Sequence, residues 1–261
     1  MALPVQFTSA GLTDVGIVRS GNEDSYLIVD ERAVFIVADG MGGHAAGEVA
    51  SEMAVRIIAE ELGDIRGVGE EPAAARMREA IRQANASIFE RTLTEHDKRG
   101  MGTTATALVL NGQRYLIGQV GDSRAYLLRD SELTQLTKDH SYVQEQVDAG
   151  YLSPEEARTH PYSNVITRCV GANNDVAPDT YVGSLRAGDI FVLASDGLTG
   201  MVDDPDLHNM LLSSRNPEAL AQALINEANH RGGLDNITVI AVRIDGVETV
   251  RDDRPTLETG V

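Results

Sequence analysis

The chain has 261 residues, 42% hydrophobic and 24% charged, a composition ordinary for a folded domain and outside the range of disordered chains. Forty Asp and Glu against 22 Lys and Arg give a formal charge of -18, which repels nucleic-acid backbones and anionic lipid and so argues against both as partners. The single cysteine, Cys169, excludes an intrachain disulfide and a multi-cysteine zinc site.

The N-terminal MALPVQFTSAGLTD lacks the basic and apolar regions of a secretory leader, and no stretch approaches the roughly 18 apolar residues of a membrane span. A cytoplasmic protein is expected. Extended segments are predicted at residues 15–18, 26–30 and 33–39, the last apolar on both faces like a strand covered on both sides. Val49, Met53, Ile57 and Ile58 fall at helical spacing within 45–62. After a polar connector at 63–71, Pro72 suits the first turn of a second helix reaching residue 95, with Met77, Ile81, Ile88 and Phe89 as its apolar stripe. TATALVL, an Asn111-Gly112 hairpin turn, RYLIGQV, Gly121-Asp122 and RAYLLRD then read as an antiparallel meander.

Residues 138–171 turn polar, with a short helix near 142–149 and another opened by Ser153-Pro154-Glu155-Glu156 at capping-box spacing. Strands resume at TYVGSL and DIFVLAS. Helices follow over 204–212 and from Asn216 and Pro217 to His230, and NITVIAVRI closes the core. Residues 1–245 are thus expected to form one domain, with 246–261 as a solvated tail. Strands in hairpin-like runs, with helices paired between them, lack the crossovers of a parallel sheet. The class expected is α+β: two antiparallel sheets packed on each other with helices outside.

The residues that carry chemistry begin with an internal echo. Phe35-Ile-Val-Ala-Asp39-Gly40 and Phe191-Val-Leu-Ala-Ser-Asp196-Gly197 each run a buried-type strand into Asp-Gly. One such pair reads as a turn; two costly strand-end carboxylates suggest a shared cation. Asp24, Asp122 and Asp235 occupy similar Gly-flanked breaks. Carboxylates converging without His or Cys make an all-oxygen site, suited to Mg2+ or Mn2+ rather than zinc. Gly40-Met-Gly-Gly-His44-Ala45 also fits the dinucleotide pattern G-x-G-x-x-A. Asp39 would then face the pyrophosphate, and a meander follows instead of further βα units, so that reading is set aside.

The ordered set Arg19-Ser-Gly-Asn-Glu-Asp24, Val37-Ala-Asp39-Gly40-Met-Gly-Gly-His44, Gly102-Thr-Thr-Ala-Thr106, Val120-Gly-Asp122-Ser-Arg124, Ala194-Ser-Asp196-Gly197 and Gly233-Leu-Asp235-Asn236 resembles the bacterial PP2C (PPM) family of metal-dependent Ser/Thr protein phosphatases over residues 8–244. The resemblance implies a four-layer α-β-β-α sandwich. It implies hydrolysis of phosphoserine and phosphothreonine monoesters by a hydroxide bridging two divalent ions, Mn2+ or Mg2+, without a phosphoenzyme. By the same match Asp39 bridges the ions, the Gly40 carbonyl binds one of them, and Asp196 and Asp235 complete the ligands. Asp24 is the acid beside them, and Asp122 helps hold a weaker third ion with Asp196.

Arg19 matches the arginine that grips the substrate phosphate. His44 is the histidine named for substrate contact and for the leaving-group proton, although animal members place a histidine where Met41 stands here. His96, His140, His160, His208 and His230 are expected on surfaces or helices. Residues 138–171 match the family's flap, expected to select substrates, where Ser163 could join the third ion. The implied partners are phosphorylated proteins, the substrates of a Ser/Thr kinase, and the implied state is a monomer. Two other readings stay open: a catalytically silent phosphoprotein-binding module, and a metal-dependent phosphatase of small phosphoesters.

Overall fold

A computed structural model describes residues 5–42 and 45–247. The chain order is β1 (Val5–Asp14), β2 (Asp24–Val29), β3 (Val34–Met41), α1 (Ala45–Leu62), α2 (Glu70–Thr94), β4 (Gly102–Thr103), β5 (Ala105–Asn111), β6 (Arg114–Val120), β7 (Arg124–Arg129), β8 (Glu132–Gln135), α3 (Tyr142–Asp148), α4 (Pro154–Arg158), β9 (Asp179–Ser184), β10 (Ile190–Ala194), α5 (Asp196–Thr199), α6 (Asp204–Ser213), α7 (Pro217–His230) and β11 (Ile237–Val247). One sheet runs β1-β11-β10-β7-β8, the other β2-β3-β5-β6-β9 with β4 beside β3. The pairings within both sheets are antiparallel.

The doubly apolar runs become inner strands because both of their faces are covered. On β3, Val34, Ile36 and Ala38 pack under α1 and α2, while Phe35 and Val37 turn into the space between the sheets. On β10, Ile190, Val192 and Ala194 pack under α6 and α7, and Phe191 and Leu193 point inward. Alternation with period two thus feeds three apolar layers, each fully buried Val, Leu, Ile or Phe contributing about 1.5–3 kcal/mol. The result is the α+β, four-layer α-β-β-α sandwich. Helix starts are tied locally: the Asn216 side chain accepts from the N–H of Glu218 and Ala219, and Ser153 and Glu156 close a capping box.

Several boundaries differ from expectation. The first strand is 5–14, not 15–18: β1 is an edge strand, so its alternation is diluted, and Gly16 at φ +80° breaks the extended run. The hairpin turn is Gly112-Gln113, one residue later than expected, because Asn111 still pairs with Arg114. Gly246 and Val247 are not tail but pair with Gln6 and Val5; the rest of the expected tail, 248–261, lies outside the described residues.

Candidate metal centre

The five aspartates come from five separate segments and meet at one end of the sandwich. Asp24 opens β2 directly opposite Asp39 on β3, a cross-strand pair of like charges that costs stability unless something lies between them. Asp122 follows β6, Asp196 opens α5, and Asp235 ends the loop before β11. A cavity of about 590 Å³ is lined by Arg19, Asp39, Gly40, Asp122, Asp196 and Asp235, with Asn164 and Ile166 reaching in from the 138–171 excursion.

Hydrogen bonds and close backbone approaches hold the segments that carry these carboxylates. The N–H of Asp39 donates to Thr104 Oγ1 at 2.9 Å, and its carbonyl accepts from Thr104 N and Thr103 Oγ1, both at 2.9 Å. Thr104 in turn meets Ser123 at 2.7 Å. Gly40 is glycine by necessity, since a Cβ there would strike the carbonyls of Glu23 and Gly47. Gly197 is constrained likewise by the carbonyl of Asn236. Ser195 Oγ donates to Asp24 Oδ2 at 2.8 Å and accepts from Thr238 N at 2.9 Å. Asn236 closes the ring: its Oδ1 accepts from Glu23 N at 2.8 Å, and its Nδ2 donates to the carbonyls of Val15 and Gly21. At the rim, Arg19 Nη2 reaches Asp235 Oδ2 at 2.7 Å.

Burial and mutual repulsion dominate the electrostatics. Burial first, then the Asp196 and Asp235 charges, lift the Asp24 carboxyl to about 7 against hydroxyl contacts that pull it down. Asp122 is lifted to about 8 by burial and by Asp196 and Asp139. Asp39 is held well above the carboxylate range by burial and by the charges of Asp24, Asp196 and Asp122, and Asp196 is raised by burial and by Asp235. Such a gathering is relieved only by protons or cations.

The donor set fits hard divalent ions. Asp196 Oδ1 is buried without a hydrogen-bond partner, an orphan that a cation would satisfy. Among the described residues no three acidic, His or Cys side chains close on one point as a finished single-ion site. Four of the carboxylates, of Asp39, Asp122, Asp196 and Asp235, stand instead around the cavity wall.

Two expected site residues stand apart from this picture. His44 lies outside the described residues. Ser163 borders a second cavity beside the first and donates to Asn164 Oδ1 at 3.2 Å on the surface. His140 corrects an expectation, because it is buried rather than on the surface. Its Nδ1 accepts from Gly121 N at 3.0 Å and its Nε2 meets Asp179 Oδ2 at 2.9 Å, so the ring roots the excursion next to Asp122; burial lowers its pKa. The other root is Val170, which exchanges backbone bonds with Thr103. Ser195 and His140 went unassigned in the sequence because a lone Ser or His carries no spacing; a signal did exist in the extra Ser195 that separates the second Asp-Gly from its strand.

Two face-to-face sheets with an all-carboxylate cleft at one end define a metal-cleft sandwich. Residues 18–227 match the family described as protein phosphatase 2C, and the chain belongs to that family. Among its relatives, the serine/threonine phosphatase stp of Listeria monocytogenes is 40% identical over 244 residues, covering 92% of this chain and 97% of that protein. The serine/threonine phosphatase PstP/Ppp of Mycobacterium tuberculosis superposes with a TM-score of 0.86 at 40% identity, covering 92% of this chain and 99% of that one. The catalytic domain of PstP in complex with two manganese ions superposes with a TM-score of 0.82 at 39% identity, again covering 92% and 99%.

Proposed function

We infer that the chain is a metal-dependent protein phosphatase that hydrolyses phosphoserine and phosphothreonine in proteins. The observation that carries this reading is four aspartates from four segments around one cavity, a fifth, Asp24, paired across strands with Asp39, and an arginine at the rim, in a member of the protein phosphatase 2C family. Asp39, the Gly40 carbonyl, Asp196 and Asp235 would hold two ions, Mn2+ or Mg2+, with Asp24 beside them and Asp122 and Asp196 at a weaker third position. When bound, the ions supply a low-pKa water and offset charge on the phosphoryl oxygens.

The chain's own residues orient and hold. Thr103 and Thr104 pin Asp39 through its backbone, leaving its carboxyl free to face the cavity. Ser195 aims Asp24 by occupying Oδ2. Arg19 sits beside Asp235 with its side chain about half exposed, placed to turn from that carboxylate to a phosphate by a charge-assisted pair. His44, from the motif that resembles the family's, is the residue we assign to substrate contact and to the leaving-group proton.

Residues 1–247 act as one catalytic unit, with 138–171 as the flap, on this reading. Among the described residues no helix is long and apolar enough to cross a membrane; a cytoplasmic, monomeric enzyme that reverses a Ser/Thr kinase is the corresponding biological proposal. The test is hydrolysis of a phosphothreonine peptide by purified protein. Turnover with Mn2+, its loss on chelation, and at least about a hundredfold loss in Arg19→Ala are expected. Peptide binding without turnover would indicate a silent module, and faster turnover of a small phosphoester a metabolite phosphatase.

A further inference from the structure

Two loop tips flank the Arg19–Asp235 ion pair, and both present large apolar side chains to solvent. Ile17 and Val18, which precede Arg19, are 68% and 63% exposed; Leu234, which precedes Asp235, is 57% exposed. The tips are fastened together, because the N–H groups of Ile17 and Val18 both donate to the Gly233 carbonyl, at 2.8 and 3.2 Å. The rest of the first tip, Ser20, Gly21 and Asn22, is uncharged. Leu234 also borders the second cavity, of about 690 Å³, which joins Arg19, Asp196 and Asp235 to the side chains of Val143, Val147 and Ala157.

Single exposed hydrophobics need no explanation, but three on adjoining tips next to a functional cleft mark a contact surface. The occupant is set by continuity. A phosphoryl group paired with Arg19 places the flanking residues of an extended peptide, about 3.3 Å apart along the chain, within side-chain reach of Ile17, Val18 and Leu234. An acidic neighbour would meet uncharged tips on a protein of net charge -18; of the other arginines that line the second cavity, Arg124 is paired with Asp139 and Arg158 lies at the end of α4.

We propose that Ile17, Val18 and Leu234 form a subsite that selects phosphoproteins with large apolar residues beside the phosphorylated serine or threonine. The proposal rests on the phosphatase reading and names the substrate feature its site prefers.

The test uses the Mn2+-loaded full chain and three phosphothreonine peptides that differ only in carrying Leu, Ser or Glu on both sides of the phosphoresidue. The Leu peptide is expected to exceed the Ser peptide about tenfold in kcat/KM, the worth of roughly one buried side chain, mostly through KM, with the Glu peptide slowest. Ile17→Ser combined with Leu234→Ser brings the Leu and Ser peptides to near equality. Ile17→Ser alone, on the open face, narrows the gap and leaves p-nitrophenyl phosphate turnover unchanged.

Equal kcat/KM for the Leu and Ser peptides in the wild type, or a preference that survives both substitutions, overturns the subsite. So does sedimentation showing a wild-type dimer that the double variant dissolves, since the patch then serves a second copy. Absence of Mn2+-dependent turnover of every peptide and of p-nitrophenyl phosphate removes the phosphatase reading, and the subsite with it.

Discussion

β3 keeps Asp39 and Gly40 inside the strand, where Gly40 and Met41 pair with Thr103 and Gly102. β10 stops at Ala194, and Ser195 passes Asp196 and Gly197 to the helical turn α5. The two ends nevertheless do the same thing. Each glycine lets the backbone of a neighbouring acidic loop come close: Gly40 admits Glu23, the residue before Asp24, and Gly197 admits Asn236, the residue after Asp235. Each Asp-Gly therefore seats a second aspartate beside its own, and Glu23 N to Asn236 Oδ1 links the two halves. The extra residue on β10 has a use as well. Ser195 stands where a helix cap would, but its hydroxyl makes no cap and reaches across to Asp24. Strand and helix are interchangeable supports here; the close backbone approach is what both require.

The comparison is tested hardest at Asp39. Asp39→Asn keeps the shape and removes one of the crowded charges, so phosphopeptide turnover with Mn2+ should fall on the order of 10²–10³-fold while the chelated protein melts no lower than wild type. A variant that stays active would detach Asp39 from the chemistry. Ser195→Ala strips Asp24 Oδ2 of its donor and Thr238 N of its acceptor; Mn2+ affinity by titration calorimetry should weaken about 10–100-fold.

If close approach is the shared device, Gly40→Ala and Gly197→Ala should each destabilise by about 1–3 kcal/mol in urea unfolding. Gly40→Ala should be the worse of the two, because its Cβ meets two backbone carbonyls rather than one. The reverse order would show that the helical end is the more rigid.

The smallest effect expected is on pH dependence. The carboxyls of Asp24, Asp39, Asp122 and Asp196 are raised in the folded chain, so with chelator it binds more protons than the unfolded chain between about pH 4 and 8. Stability of the chelated protein should therefore fall as pH rises through that window, which takes in Asp24 at about 7 and Asp122 at about 8. Mn2+ takes the place of those protons, so its stabilisation should grow as pH rises. Melting curves at pH 5, 6.5 and 8 with and without Mn2+ check the sign.

Much of the site was legible because carboxylates at strand ends are expensive, and so stand out when they recur next to glycine. Asp39 and Asp196 could be read together from the echo alone, and Asp24, Asp122 and Asp235 from their Gly-flanked breaks. Hydrogen-bonding supports were not legible. Thr104, Ser195 and His140 act across 19 to 171 residues of chain, and nothing in local spacing reports such a partner. The first strand was misplaced for a related reason: β1 is an edge strand whose residues are mostly half-buried, so few large apolar side chains mark it.

Alternating apolar residues, turn glycines and helix caps are local properties, and by themselves they determined the α+β class, the inner strands expected at 33–39 and at DIFVLAS, and the pool of acidic residues at strand ends. Which carboxylates face one another was decided only when the sheets packed. Register set Asp24 against Asp39, and the close approaches at Gly40 and Gly197 brought in the loops before β2 and before β11. Burial in that packed cleft raises the carboxyls and leaves Asp196 Oδ1 unpaired, because desolvation and like-charge repulsion arise between segments that are distant in the chain.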